Sequence, residues 1–266
     1  MRLDVYLLEI HKSNMPTKIQ SHHIPWMLAL VLALICSACA SSGTISKSST
    51  TSSATHLATR QPTTTGLFLS GPITYVALGA SDAVGVGSNQ PASQGYVPRL
   101  AARLPKGSHL INLGVSGIRL HQALSQEVPI ALRTAPNLVT IWLVANDFVD
   151  GVTYNEYIHD LNILLEQLHT NTHARLVMAN LPDLAQLPAF ARLTATQKAH
   201  MRQEIQQWNA GIAALATRYA VILVDLFTRE SQLTAHPEYV SADGFHPSSS
   251  GYAQLANLFW LAINES

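Results

Sequence analysis

From about a quarter of the way along, the chain alternates short apolar runs with longer stretches in which apolar positions recur every three or four residues. The runs fall at 73–78, 109–113, 138–144, 175–179 and 221–225, and their length and β-branched content predict five buried strands. Between them, helical spacing predicts helices at 96–104, 119–127, 155–170, 196–219 and 249–263, the last preceded by the capping residue Ser248. Strands that alternate with helices predict a parallel sheet, because each crossover returns the chain to the same end. The expected fold is a flavodoxin-like three-layer α/β/α sandwich with a five-stranded parallel sheet. In such sheets ligands sit beyond the carboxyl ends of the strands, so reactive residues are sought where strands end.

The first third lacks this rhythm. An apolar run at 24–40 follows Lys12 and Lys18 and precedes small polar residues, which is the pattern of a signal peptide. At about 15 residues the run is shorter than the roughly 20 that span a bilayer, which makes an uncleaved membrane helix the weaker alternative. Cys36-Ser37-Ala38-Cys39 resembles a bacterial lipobox, with Cys39 as the residue to be lipidated, although Cys36 stands where an aliphatic side chain is usual. Ordinary cleavage after Ala38 or Ala40 is the alternative, and Met15 offers a second start with a conventional basic leader. Residues 40–66 are rich in Ser, Thr and Ala and read as a disordered tether. The expected organisation is a signal peptide at 1–39, a tether at 40–66 and one domain at 67–266, in an exported protein that is secreted or held at the cell envelope.

Composition narrows the function. Hydrophobic residues make up 47% and charged residues 12%, which supplies a core and leaves no basic surface suited to nucleic acid. From Leu67 onward there are 11 Lys and Arg against 14 Asp and Glu, a net −3. Both cysteines lie in the leader, which excludes a disulfide framework or a cysteine-ligated metal from the domain. His109, His121, His159, His169, His173, His200 and His236 show no metal-ligand spacing, so no metal is expected. Trp142, Trp208 and Trp260 are expected to pack in the core.

The first predicted strand runs into Gly79-Ala80-Ser81-Asp82, then Gly85 and Gly87. A serine in a glycine-rich turn at a strand end can expose its hydroxyl, although Ser81 taken alone reads more readily as a helix cap. Near the C-terminus stands Asp243-Gly244-Phe245-His246-Pro247, where an Asp three residues before a His can hold one ring nitrogen and leave the other for a serine. After the second strand come Asn112-Leu113-Gly114-Val115-Ser116-Gly117, and after the third Ala145-Asn146-Asp147. Gly114 allows a backbone amide to approach an oxyanion and the Asn146 amide can donate a second hydrogen bond. Read blandly, Gly114 serves a tight turn, Asn146 satisfies buried backbone, and Asp147 caps a helix.

Ser81, Gly114, Asn146 and Asp243 with His246 stand in the order of the four blocks of the SGNH (GDSL-like) esterases, which the chain resembles over essentially the whole domain. Pro247, Gly251 and Leu181-Pro182-Asp183 add to the likeness. The resemblance implies a cofactor-free serine esterase with Ser81 as nucleophile, His246 as base and Asp243 as its orienting acid. It also implies an oxyanion hole made by the Ser81 amide, the Gly114 amide and the Asn146 side chain. Two departures stand out: Ala80 replaces the usual Asp before the serine, with Asp82 after it, and Val144 replaces a glycine two before Asn146. The substrates expected are small acyl esters, lysophospholipid or O-acetylated sugar. The other functions weighed are acyl transfer and a non-catalytic surface lipoprotein that binds a glycan or partner in the same cleft. A phosphate-cradling cofactor site is disfavoured by the acid in the first loop. The protein is expected to be a monomer that touches a membrane only through its lipid anchor.

Overall fold

A computed structural model describes residues 71–229 and 235–265. The expected signal peptide, lipobox Cys39 and tether lie outside the described residues. Five parallel strands form the sheet: β1 (Thr74–Gly79), β2 (His109–Asn112), β3 (Leu138–Trp142), β4 (Arg175–Ala179) and β5 (Ile222–Val224). Their order is β2-β1-β3-β4-β5, so the direction of winding reverses at β1. Successive residues of β1 and β3 are almost all buried, as a sheet covered on both faces requires.

The connections run α1 (Ser81–Val84), α2 (Pro91–Gln94) and α3 (Tyr96–Ala101) after β1, then α4 (Leu120–Gln126) and α5 (Val128–Arg133) after β2. Next come α6 (Ala145–Val149) and α7 (Tyr154–Asn171), then α8 (Ala195–Arg218), and finally α9 (Ser249–Glu265). Thr153 and Thr194 begin α7 and α8 with reciprocal capping boxes to Glu156 and Gln197. One layer holds α3 and α9, where Tyr96 stacks on Phe259 at 5.1 Å between ring centroids and meets Trp142 edge-on at 6.1 Å. The other holds α4, α5, α7 and α8, where Trp208 stacks on Tyr157 at 4.6 Å. Trp142 and Trp208 are thus core residues. Trp260 packs against this core as a half-buried residue of α9, with the Arg103 guanidinium 5.9 Å from its ring centre.

The strands emerge within one or two residues of their expected bounds. Four short helices do not follow from periodicity, namely α1, α2, α5 and α6, because each is only four to six residues long. The α4–α5 junction is set by Pro129, which cannot donate within a continuing helix and starts a new one.

Candidate active site

Two loops at the carboxyl end of the sheet bring Ser81 and His246 together, and Asn146 follows β3, the strand paired with β1. Ser81 is the first residue of α1, directly after β1, and is 7% exposed. Its Oγ lies 2.9 Å from His246 Nε2, across 165 residues of sequence. His246 Nδ1 is 2.7 Å from Asp243 Oδ2. Oδ1 of the same carboxylate accepts from the Ser241 hydroxyl and from the N–H groups of Phe245 and His246. Partial burial pulls the Asp243 pKa upward, but these donors outweigh it and hold it at about 2. An ionised Asp243 can only accept, so the imidazole proton sits on Nδ1 and Nε2 is left to accept from the Ser81 hydroxyl.

Gly87 shapes the back of this relay. Its φ is +93°, and an added Cβ would stand 2.9 Å from the His246 Cβ and 2.6 Å from the Pro247 carbonyl. Gly87→Ala therefore strains the turn and displaces the imidazole. It is expected to lower kcat by about tenfold or more, with KM little changed, in steady-state assays on p-nitrophenyl butyrate.

Of the two expected side-chain and backbone donors to an oxyanion, Asn146 is poised: its Nδ2 donates to the Ile118 carbonyl at 2.9 Å, which leaves a second hydrogen on that nitrogen. Gly114 is different. Its N–H already donates to Asn112 Oδ1 at 3.1 Å, and its bare Cα is required because a Cβ would meet that of Ala83 at 2.7 Å. Asn112 Nδ2 in turn donates to the Ala83 carbonyl at 2.7 Å, locking this loop to the nucleophile turn. Three residues on, Gly117 has a left-handed φ of +78°, and its N–H has no acceptor among the described residues. It directly precedes Ile118, the residue bonded to Asn146, which makes Gly117 the freer donor in this loop. Its Gly-after-Ser signal stands in the same sequence segment as Gly114.

Ala80 stands where the resemblance implies an acid before the serine. The Asp82 side chain lines a cavity, where burial pushes its pKa up to about 6 against the pull of His246. The nucleophile turn is tied instead through Gly79, whose N–H donates to Glu127 Oε2 at 3.0 Å and whose carbonyl accepts from Val115. Nothing in the sequence marks Glu127, at the α4–α5 junction, as part of this region. Asp147 keeps its bland reading: it is 2% exposed and accepts from Leu120 N–H at 2.9 Å, at the start of α4. Val144 is buried and is not among the residues that line the cavity beside Asp82.

Glu127 is 1% exposed, and burial pushes its pKa up to about 8 against the Gly79 N–H. The folded state therefore binds this proton more tightly than the unfolded state does. The resulting stability is complete below the ordinary carboxyl pKa and is lost as pH rises toward and through 8. Glu127→Gln keeps an acceptor for Gly79 and removes the ionisation. It is expected to raise Tm relative to the parent chain at pH 8.5 but not at pH 4, as thermal unfolding at the two pH values would reveal. Asp82 and Asp147, each pushed up by burial to about 6, leave a residual decline at lower pH.

Beside the relay lies a cavity of roughly 100 Å³ lined by Asp82, Trp142, Ala145, Pro182, Leu184 and Phe245, among others. Its walls include neighbours of all three site residues: Asp82 follows Ser81, Ala145 precedes Asn146, and Phe245 precedes His246. Among the described residues no three His, Cys, Asp or Glu side chains converge as metal ligands would.

The family model of the GDSL-like lipase/acylhydrolase family matches residues 77–254, which is more than half of the chain and includes every residue of the relay. No curated protein matches the chain. Solved structures share its fold at low identity. An alpha/beta hydrolase enzyme from the metagenome of Lake Arreo, Spain, is 21% identical with a TM-score of 0.59, over 74% of this chain and 97% of that one. An acetylxylan esterase from Geobacillus stearothermophilus is 18% identical with a TM-score of 0.57, over 73% and 95%. An extracellular lipase from Streptomyces rimosus is 18% identical with a TM-score of 0.57, over 71% and 99%.

Proposed function

The chain belongs to the GDSL-like lipase/acylhydrolase family and is an ester hydrolase, and from that premise we propose that it works through an acyl-enzyme on Ser81 and acts on esters of short acyl groups. The observation that carries this reading is the continuous relay from Ser81 Oγ to His246 Nε2, at 2.9 Å, and from His246 Nδ1 to Asp243, at 2.7 Å. His246 takes the serine proton as Oγ attacks the acyl carbon, then passes it to the departing alkoxide, so an alcohol leaves. Water, deprotonated by the same imidazole, attacks the acyl-serine and releases the acid. Asp243 stays ionised throughout and holds the imidazolium in place. The negative oxygen is held by the Ser81 N–H, by the second Asn146 Nδ2 hydrogen and by the Gly117 amide, with Gly114 serving the turn.

The adjoining cavity is suited to the acyl side of the substrate, because its walls are apolar and it touches residues on either side of the reacting centre. Its size favours chains of a few carbons. The lipobox-like segment ending at Cys39 favours an envelope location, where O-acetylated glycans and lipid esters are at hand. Mass measurement of the mature N-terminus tests the lipid anchor.

The acyl-enzyme is tested by covalent capture. A fluorophosphonate should add to the Ser81 peptide of the full chain, and labelling should slow at least about a hundredfold in His246→Ala, which lacks the base. Modification elsewhere, or equal labelling of the two proteins, would sink the proposal.

A further inference from the structure

We propose that Asp82 makes the acyl cavity selective for acyl groups that carry a hydroxyl, so that short hydroxyacyl esters are hydrolysed in preference to plain ones. The inference rests on the esterase reading above and names the substrate class of that same site.

The cavity walls are largely apolar, contributed by Leu184, Leu187, Leu226, Phe245 and Leu258 among others. Into this lining the chain sets a carboxylate directly after the nucleophile. Asp82 is 7% exposed, and the only donor bonded to its carboxyl among the described residues is its own backbone N–H. A carboxylate with so few donors, set in an apolar wall, is costly and uncommon.

A hydroxyl answers the carboxylate by donating to it. A plain alkyl chain leaves the carboxylate unmet and lays methylenes against it. An ammonium group would also suit Asp82, but it must give up its hydration in an apolar space whose lining includes the like-charged Arg229. The small volume and the position of Asp82 beside Ser81 place the hydroxyl near the carbonyl end of a short acyl group.

Asp82 also feels the His246 imidazole, so a variant could slow catalysis without touching selectivity. The ratio between substrates separates the two effects, since a disturbed base slows every ester by the same factor. The experiment measures kcat/KM of the full chain at pH 7.5 on ethyl butyrate, ethyl 2-hydroxybutyrate, ethyl 3-hydroxybutyrate and ethyl 3-aminobutyrate, by titrating the acid released. Turnover of p-nitrophenyl butyrate reports separately that the site works. One of the hydroxy esters is expected to exceed ethyl butyrate by about tenfold or more. Asp82→Leu should bring that ratio to about one, while Asp82→Asn, closest in shape, should retain part of the preference. The proposal is overturned if the parent chain fails to prefer a hydroxy ester, if the amino ester leads, or if both variants slow all esters by one common factor. Failure of the parent chain on p-nitrophenyl butyrate as well would defeat the esterase reading itself, and the inference with it.

Discussion

Ser81→Ala and His246→Ala should each lower kcat for p-nitrophenyl butyrate by about 10⁴-fold or more, with the far-ultraviolet circular dichroism unchanged. The reason lies in the relay: Ser81 Oγ and His246 Nε2 are 2.9 Å apart, and neither can form the acyl-enzyme without the other. Because the two act as one unit, the double variant should be no slower than the worse single one. Steady-state rates of the three proteins decide this. A His246→Ala protein within tenfold of the parent would mean that another base serves Ser81. Additive losses would mean that the two side chains contribute separately.

Asn146→Ala should lower kcat by about 10²–10³-fold and leave KM nearly unchanged, a loss of about 2.7–4 kcal/mol of transition-state stabilisation. One Nδ2 hydrogen is spent on Ile118, so only the other is offered to substrate, and it is valuable only when charge develops on the oxygen. Asn146→Asp should be slower still, since a carboxylate there repels the oxyanion. Rates and KM for all three proteins on one p-nitrophenyl ester form the check. A raised KM with intact kcat would assign Asn146 to ground-state binding instead.

The parts legible in the sequence were those written in local pattern or in residues next to strand ends. Apolar runs located all five strands, and the glycine-rich turn and the Asp-x-x-His tetrapeptide pointed to Ser81, Asp243 and His246, which the structure brings into one relay. The part that was not legible depends on which donors and acceptors meet across the fold. Gly114 and Gly117 look alike in the sequence, yet one amide is consumed by Asn112 and the other has no acceptor among the described residues. Glu127 looks like a surface residue of an amphipathic helix until Pro129 ends that helix and turns the carboxyl onto Gly79, 48 residues earlier. Trp260 fits a core face by spacing and does pack against the core, but only half-buried, with Arg103 over its ring. Asp82 could be seen to differ from the family pattern, but its exposure to an apolar cavity required the walls, which come from β3, α9 and three loops.

The relay joins the first strand of the sheet to the loop just before its last helix. On a ribosome the chain holds Ser81 before His246 has been made. Its hydroxyl is then an ordinary alcohol, indifferent to the esters around it. On the proposed mechanism a chain that ends before residue 246 carries Ser81 without its base and cannot form the acyl-enzyme.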